Sequence, residues 1–231
     1  MRIARVAIPA LALILAAACG SSPKAGPGGG ATGVTGSSGA PTTRPHYGGP
    51  SPTERPTVDP GTLPQTRAVP SDSTAAFRAR MEALWRGIVD DSVSDAMPAF
   101  FPRSAYLQVK AISNAGADYQ ARLVGAFGLD IHAAHVLLGS GAPAAKLVSV
   151  SIPHQWTWIQ PGGCYNRIGY WHAPGARLVY REGGQVRSFG VFSFISWRGE
   201  WYVVHLSSYS HPGTVDSPSV GVGSYGPPGG C

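Results

Sequence analysis

The segment from Pro161 to Gly175 holds the densest run of reactive and hydrogen-bonding side chains in this chain: Cys164, Tyr165, Asn166, Arg167, Tyr170, Trp171 and His172, bracketed by Pro-Gly turns. A cysteine and a histidine so close in sequence could form a thiolate and imidazolium pair, in which the cation lowers the thiol pKa and the thiolate attacks a carbonyl. No flanking signature of a cysteine hydrolase accompanies Cys164 and His172, and on a chain outside the reducing cytosol a cysteine more often pairs or packs than attacks. Cys164, His172 and His205 are the candidate catalytic residues. Tyr165, Asn166, Tyr170, Trp171 and His172 form the candidate ligand-binding set. Asp118, Tyr119, Tyr170 and His205 could also supply a general acid or base if the fold encloses an apolar cavity, where burial raises a carboxyl pKa.

His132 and His135 are a second constellation. Three residues apart on a helix, they share a face and could chelate zinc with a third ligand from elsewhere. Asp130 stands about 200° around the helix from His132 and is no obvious ligand. Two packed or solvated histidines account for the pattern more simply, so no metal and no cofactor is expected.

A different chemistry belongs to Cys19. Arg2 and Arg5 supply a basic start, Val6 to Ala18 an apolar run, and Leu15-Ala16-Ala17-Ala18-Cys19-Gly20 a small-residue cleavage site ending on a cysteine. The run is too short for the roughly 20 residues that cross a bilayer. This segment resembles a bacterial lipobox, although Ala16 stands where Leu is usual. The resemblance implies a cleaved signal peptide over 1–18 and a diacylglycerol thioether, with further acylation such as palmitate, on Cys19. Each buried CH₂ would add about 0.8 kcal/mol of membrane affinity, and two or three chains together anchor stably. Cys164 and Cys231 then remain. A bridge between them would close a loop of roughly 70 residues and stabilise by about 4 kcal/mol in the chain-entropy model. Two free thiols, or a bridge to another chain, stay open as alternatives.

Composition divides the chain that must position these residues. Residues 19–70 are dominated by Gly, Ser, Thr, Pro and Ala. They cannot bury enough apolar surface to offset chain entropy and read as a disordered linker, with a reach of about 40 Å as a coil. Residues 211–231 repeat that composition and read as a tail. Residues 71–210 are long enough for one core. The formal charge of +6 includes Arg2 and Arg5, which leave with the signal, and the remaining basic residues are scattered along the chain. Without a basic stripe, and on an exported chain, no nucleic-acid partner is expected.

Within the domain, helices precede strands. Phe77, Met81, Leu84, Trp85, Ile88 and Val89 fall on one helical stripe that starts near Ser71-Asp72-Ser73 and ends at Asp90-Asp91-Ser92. A short helix is expected over Asp95 to Phe101. A third helical region runs from Asp118, as N-cap, to Leu138, with a break at Gly128. After Pro143 the period becomes two: Val148, Val150 and Ile152, then Leu178 and Tyr180, then a long strand from Gln185 to Trp197 and a hairpin partner from Glu200 to Ser208. Gly190 and Ser193 suggest a bend. Alternation puts Trp201 and His205 on one face of the last strand. The fold class is α+β, with N-terminal helices packed on a curved antiparallel sheet of about four to six strands.

The opening helix with Leu84-Trp85 and Ile88-Val89, the Asp95 to Phe101 segment and the closing hairpin from Ser196 to Leu206 resemble the NTF2-like (SnoaL-like) cone fold. That superfamily contains isomerases, hydratases, ligand binders and partner-binding modules, so it fixes little about function. Together with the lipobox, and a composition like that of actinobacterial surface proteins, the resemblance implies a lipid-anchored lipoprotein on the extracytoplasmic face of the membrane. Its domain would bind an envelope protein partner or a small apolar ligand without catalysis; the alternative is a hydrolase or isomerase working in the cone cavity.

Overall fold

Thr74 starts the first helix, its hydroxyl accepting from the Phe77 amide at 2.9 Å. The helix, α1, spans Ala75–Val89 and buries Phe77, Met81, Leu84, Trp85 and Ile88, the stripe expected from their spacing. Each such side chain contributes about 1.5–3 kcal/mol on leaving water. Asp91, with φ of 50°, turns the chain out of the helix. These elements come from a computed structural model that describes residues 58–208 and 211–215. The signal segment, Cys19, most of the linker, and the tail from 216 to Cys231 lie outside the described residues.

The next elements are shorter than the pattern suggested. Ser92 caps α2 (Val93–Ala96), and a 3₁₀ turn, Met97–Ala99, follows. A helix not foreseen, α3 (Arg103–Val109), begins directly after Pro102. Asn114, not Asp118, then caps α4 (Ala115–Asp118) by accepting from the Ala117 amide at 3.2 Å. The helix continues through a π-helical turn, Tyr119–Val124, into α5 (Gly125–Leu138). Gly128 does not break it. A Cβ there would meet Val93 Cγ2 at 3.5 Å, an ordinary van der Waals contact, so the helix runs on through a position that alanine could also fill. By length and composition alone, Ala115–Ala144 could cross a membrane. In the fold its Phe127, Ile131, Ala134 and Leu138 are buried in the core.

Five antiparallel strands follow: β1 (Lys146–Ser151), β2 (Thr157–Ile159), β3 (Tyr170–Glu182), β4 (Gln185–Trp197) and β5 (Glu200–His205). The order is β1-β3-β4-β5, with β2 also paired to β3. Register departs from simple alternation at two places. Between Leu147 and Ser149 a shift leaves Val148 exposed, while Leu147 and Val150 pack on the core. A second shift lies opposite Ser193 and Phe194, where His205 pairs with Ser193 and Val203 with Phe194. Gly190, by contrast, sits in unbroken register opposite Arg177.

That second shift overturns the face expected for His205. Trp201 pairs with Ser196 and His205 with Ser193. Positions an odd number apart on one strand point to opposite faces, so Trp201 and His205 are on opposite sides of the sheet. The strand is buried on both.

The folded part also begins earlier than Ser71. Within the expected linker, residues 58–70 lie on the domain: Asp59 accepts from Ser104 Oγ at 2.6 Å, the Pro60 carbonyl from Trp197 Nε1 at 2.9 Å, and Gln65 bonds both the Ser196 carbonyl and the Arg198 amide. A few hydrogen bonds and Gly61, buried against Ser104 and Ala105, hold a segment whose composition alone reads as coil.

Candidate functional site

A cavity of about 580 Å³ opens between α3, the π-helical turn and the sheet. Phe101, Val109, Ile112, Leu123, Ile195 and Val204 give it apolar walls, and Tyr106, Lys110, Asp118, Arg122, Tyr165 and Tyr170 bring polar ends to it. The elements that meet there explain the mixture. Arg122 is one helical turn beyond Asp118, and its guanidinium donates to the carboxylate from both Nε, at 2.8 Å, and Nη2, at 2.7 Å. Tyr106, from α3, donates its hydroxyl to the same carboxylate and accepts from Arg122 Nη2 at 2.8 Å. The Arg122 hydrogen bonds, with help from Tyr106, hold the Asp118 carboxyl below the usual carboxylate range. Burial, and then the Asp118 hydrogen bond, push the Tyr106 phenol up. Asp118 is therefore a saturated anion, unsuited to the acid or base role considered for it. Tyr119 is pushed up to about 12, chiefly by burial, and its hydroxyl is spent on the Phe101 carbonyl at 2.8 Å.

The candidate segment after Pro161 supplies the other wall and divides in two. Its first half is a loop with three left-handed residues, Gly162 (φ 92°), Cys164 (φ 55°) and Tyr165 (φ 56°). The two non-glycine ones carry strain of order 1 kcal/mol each. Backbone bonds to the end of α3 hold the loop: Ala111 N to the Tyr165 carbonyl at 2.8 Å and Arg167 N to the Val109 carbonyl at 2.8 Å. Its second half is not loop at all but the start of β3, where Pro174 pairs with Ser193 and Gly175, φ 78°, follows.

Strand alternation then separates the expected binding residues. Tyr165 and Tyr170 line the cavity. Asn166 is buried, donating to the Tyr170 hydroxyl at 3.2 Å, and its own Oδ1 has no hydrogen-bond partner among the described residues. Trp171 points to the other face of β3, where it meets Trp156 and Trp158 edge-on and donates to the Arg67 carbonyl at 3.3 Å. His172 shares the face of Tyr170 but does not line the cavity. It is buried, with Nε2 in a 3.1 Å hydrogen bond with Ser193 Oγ and Nδ1 without a partner among the described residues.

None of the three candidate catalytic residues presents a reactive group to this space. Cys164 is disulfide-bonded, so its sulfur is no nucleophile in this state. Its partner lies outside the described residues, because Cys19 and Cys231 are the chain's other cysteines. Burial pushes His172 down to about 4. Burial also lowers His205, opposed by the Asp130 carboxylate and reinforced by Arg122. Both imidazoles are neutral well below pH 7, in a polar cluster between the sheet and α5. Asp130 completes that cluster as a staple: wholly buried, it accepts from the amides of Leu206 at 2.9 Å, Ser207 at 3.2 Å and Gly213 at 2.8 Å, and from the Ser207 hydroxyl.

The two helix histidines do not converge. His132 is exposed and bonds Asp91 at 2.9 Å, while His135 bonds the Ile88 carbonyl at 3.0 Å. Among the described residues no three His, Cys, Asp or Glu side chains gather as a metal site would need.

Sequence reasoning missed Tyr106, Lys110 and Arg122. Tyr106 and Lys110 sit on or beside α3, which carried no recognised pattern, and Arg122 meets Tyr106 only because the π-helical turn faces α3. No protein-family model matches the chain, and no curated protein or solved structure does either.

Proposed function

We propose that this chain is an extracytoplasmic lipoprotein, held to the membrane by a lipid on Cys19, whose folded domain binds a small, largely apolar ligand. The cavity carries the reading. Its volume of about 580 Å³ falls within the roughly 300–1,000 Å³ of small-molecule sites, and apolar walls with a few convergent polar groups are how such sites are built. Helices laid over an antiparallel sheet around a cavity also fit the NTF2-like resemblance. The membrane anchor rests on the lipobox-like residues alone. An envelope protein is the less favoured occupant, because a concave cavity of this size suits a small molecule. A hydrolase or isomerase reading loses its three candidate catalytic residues, since Cys164 is bridged and neither His172 nor His205 lines the cavity.

Native mass spectrometry of the membrane-extracted protein tests both halves. The expected result is a diacylglyceryl mass on Cys19 and a non-covalent adduct that leaves on mild activation. An unmodified Cys19 in the membrane fraction refutes the anchor. A domain that takes up no apolar probe, whether purified with a ligand or without, refutes the binding role.

A further inference from the structure

Among the described residues, Lys110 is a cation at the cavity with no carboxylate paired to it. It follows α3 and is held in place from several sides: its amide donates to the Tyr106 carbonyl at 3.0 Å, its carbonyl accepts from Arg167 Nε at 3.0 Å, and it forms an isolated bridge with Asn166. Its side chain lines the cavity. There Nζ lies 5.8 Å from the centre of the Tyr106 ring and donates to the Cys164 carbonyl at 2.8 Å. An ammonium has three donors, and this one has a single hydrogen-bond acceptor and no ion-pair partner among the described residues. The nearby carboxylate, Asp118, is committed to Arg122 and Tyr106. Two cations thus face one anion across an apolar space. A half-buried charge without a counter-ion is costly, and burial lowers the Lys110 pKa accordingly.

We infer that the cavity selects amphipathic anions: molecules with an apolar body seated against Phe101, Leu123, Ile195 and Val204 and one acidic head group, carboxylate or phosphate, bound by the Lys110 ammonium. The inference rests on the binding role proposed above and names the class of ligand. Lys110 supplies two donors at a fixed place, and the aliphatic walls accept a chain without demanding its identity. Neutral and cationic amphiphiles of equal length fit the walls but leave the ammonium unmatched or repelled. A point charge reads a carboxylate or a phosphate equally well.

Equilibrium competition on the purified, oxidised chain tests this with four probes of one chain length: decanoate, decyl phosphate, decanol and decyltrimethylammonium. Decanoate or decyl phosphate is expected to bind roughly tenfold or more tighter than decanol, the effect of one charge-assisted hydrogen bond, and the cation weakest. The tighter of the two anions identifies the head group. Lys110→Met, which keeps the aliphatic stem, is expected to erase the preference for anion over alcohol in a protein with unchanged near-ultraviolet circular dichroism. Equal affinity for anion and alcohol, or preference for the cation, overturns the inference while leaving the binding role intact. Binding of none of the four overturns both. The wild-type comparison decides the matter even if the variant fails to fold.

Discussion

Acidification should unfold this domain through its two buried histidines before its carboxylates contribute. His172 is held neutral by burial, with a pKa of about 4 against an ordinary value of 6.5. In the unfolded chain the same imidazole takes up a proton as soon as the pH falls below about 6.5. Between those values the unfolded state binds more protons than the folded one, so stability falls as pH falls. The contribution is fully present above about pH 6.5 and fully lost below about pH 4. At 1.36 kcal/mol per pH unit that gap is worth about 3 kcal/mol. His205 is shifted in the same direction, also by burial, and adds to the loss. Against a total of about 5–15 kcal/mol for an ordinary domain, this is a large fraction. Urea unfolding followed by tryptophan fluorescence, repeated from about pH 7.5 to about pH 4, should show stability flat at the top and declining through the window. The His172→Gln variant should decline with a slope smaller by about one proton. A curve with no loss between about pH 6.5 and about pH 5, or a His172 ring proton that titrates near 6.5 by NMR, would refute the reasoning.

Asp130→Ala removes the acceptor for three amides and a hydroxyl around a wholly buried carboxylate. At about 1–3 kcal/mol per orphaned buried group, partly relieved by relaxation, a loss of about 3–5 kcal/mol is expected in chemical denaturation. A change under about 0.5 kcal/mol would show that the staple carries no stability. If Cys19 carries the proposed lipid, non-reducing peptide mapping should join Cys164 to Cys231; recovery of a Cys164–Cys19 peptide overturns the lipidation. Reduction of the Cys164–Cys231 bridge should cost up to about 4 kcal/mol by restoring entropy to the unfolded chain, read as a shift of the urea midpoint.

Periodicity alone was enough for α1, because the spacing of Phe77, Met81, Leu84, Trp85 and Ile88 leaves one face to bury and needs nothing from the rest of the chain. The β4–β5 hairpin was equally legible, with Arg198 and Gly199 turning at φ of 54° and 78°. The α+β class followed from the change of period after Pro143. Less local features were not legible. A stretch of Gly, Pro and Thr gives no sign that Asp59 and Gln65 will find partners about 45 and 131 residues away, since such bonds belong to no periodic pattern.

The site followed the same division. Tyr165 and Tyr170 could be picked out by type, and their neighbours Trp171 and His172 by proximity, but only the pairing of β3 with β4 sent Trp171 to the opposite face. One extra residue in β5 turned His205 away from the face that alternation assigns to it, because a period-two pattern reverses at every bulge. Lys110 and Arg122 were two scattered basic residues until the chain folded. What the sequence determined unaided is what depends on neighbours along the chain: helix and strand periods, the export-like start and the cysteine count. What tertiary structure decided is what depends on neighbours in space: the disulfide at Cys164, the neutral buried histidines, and an ammonium on an apolar wall with no counter-ion among the described residues.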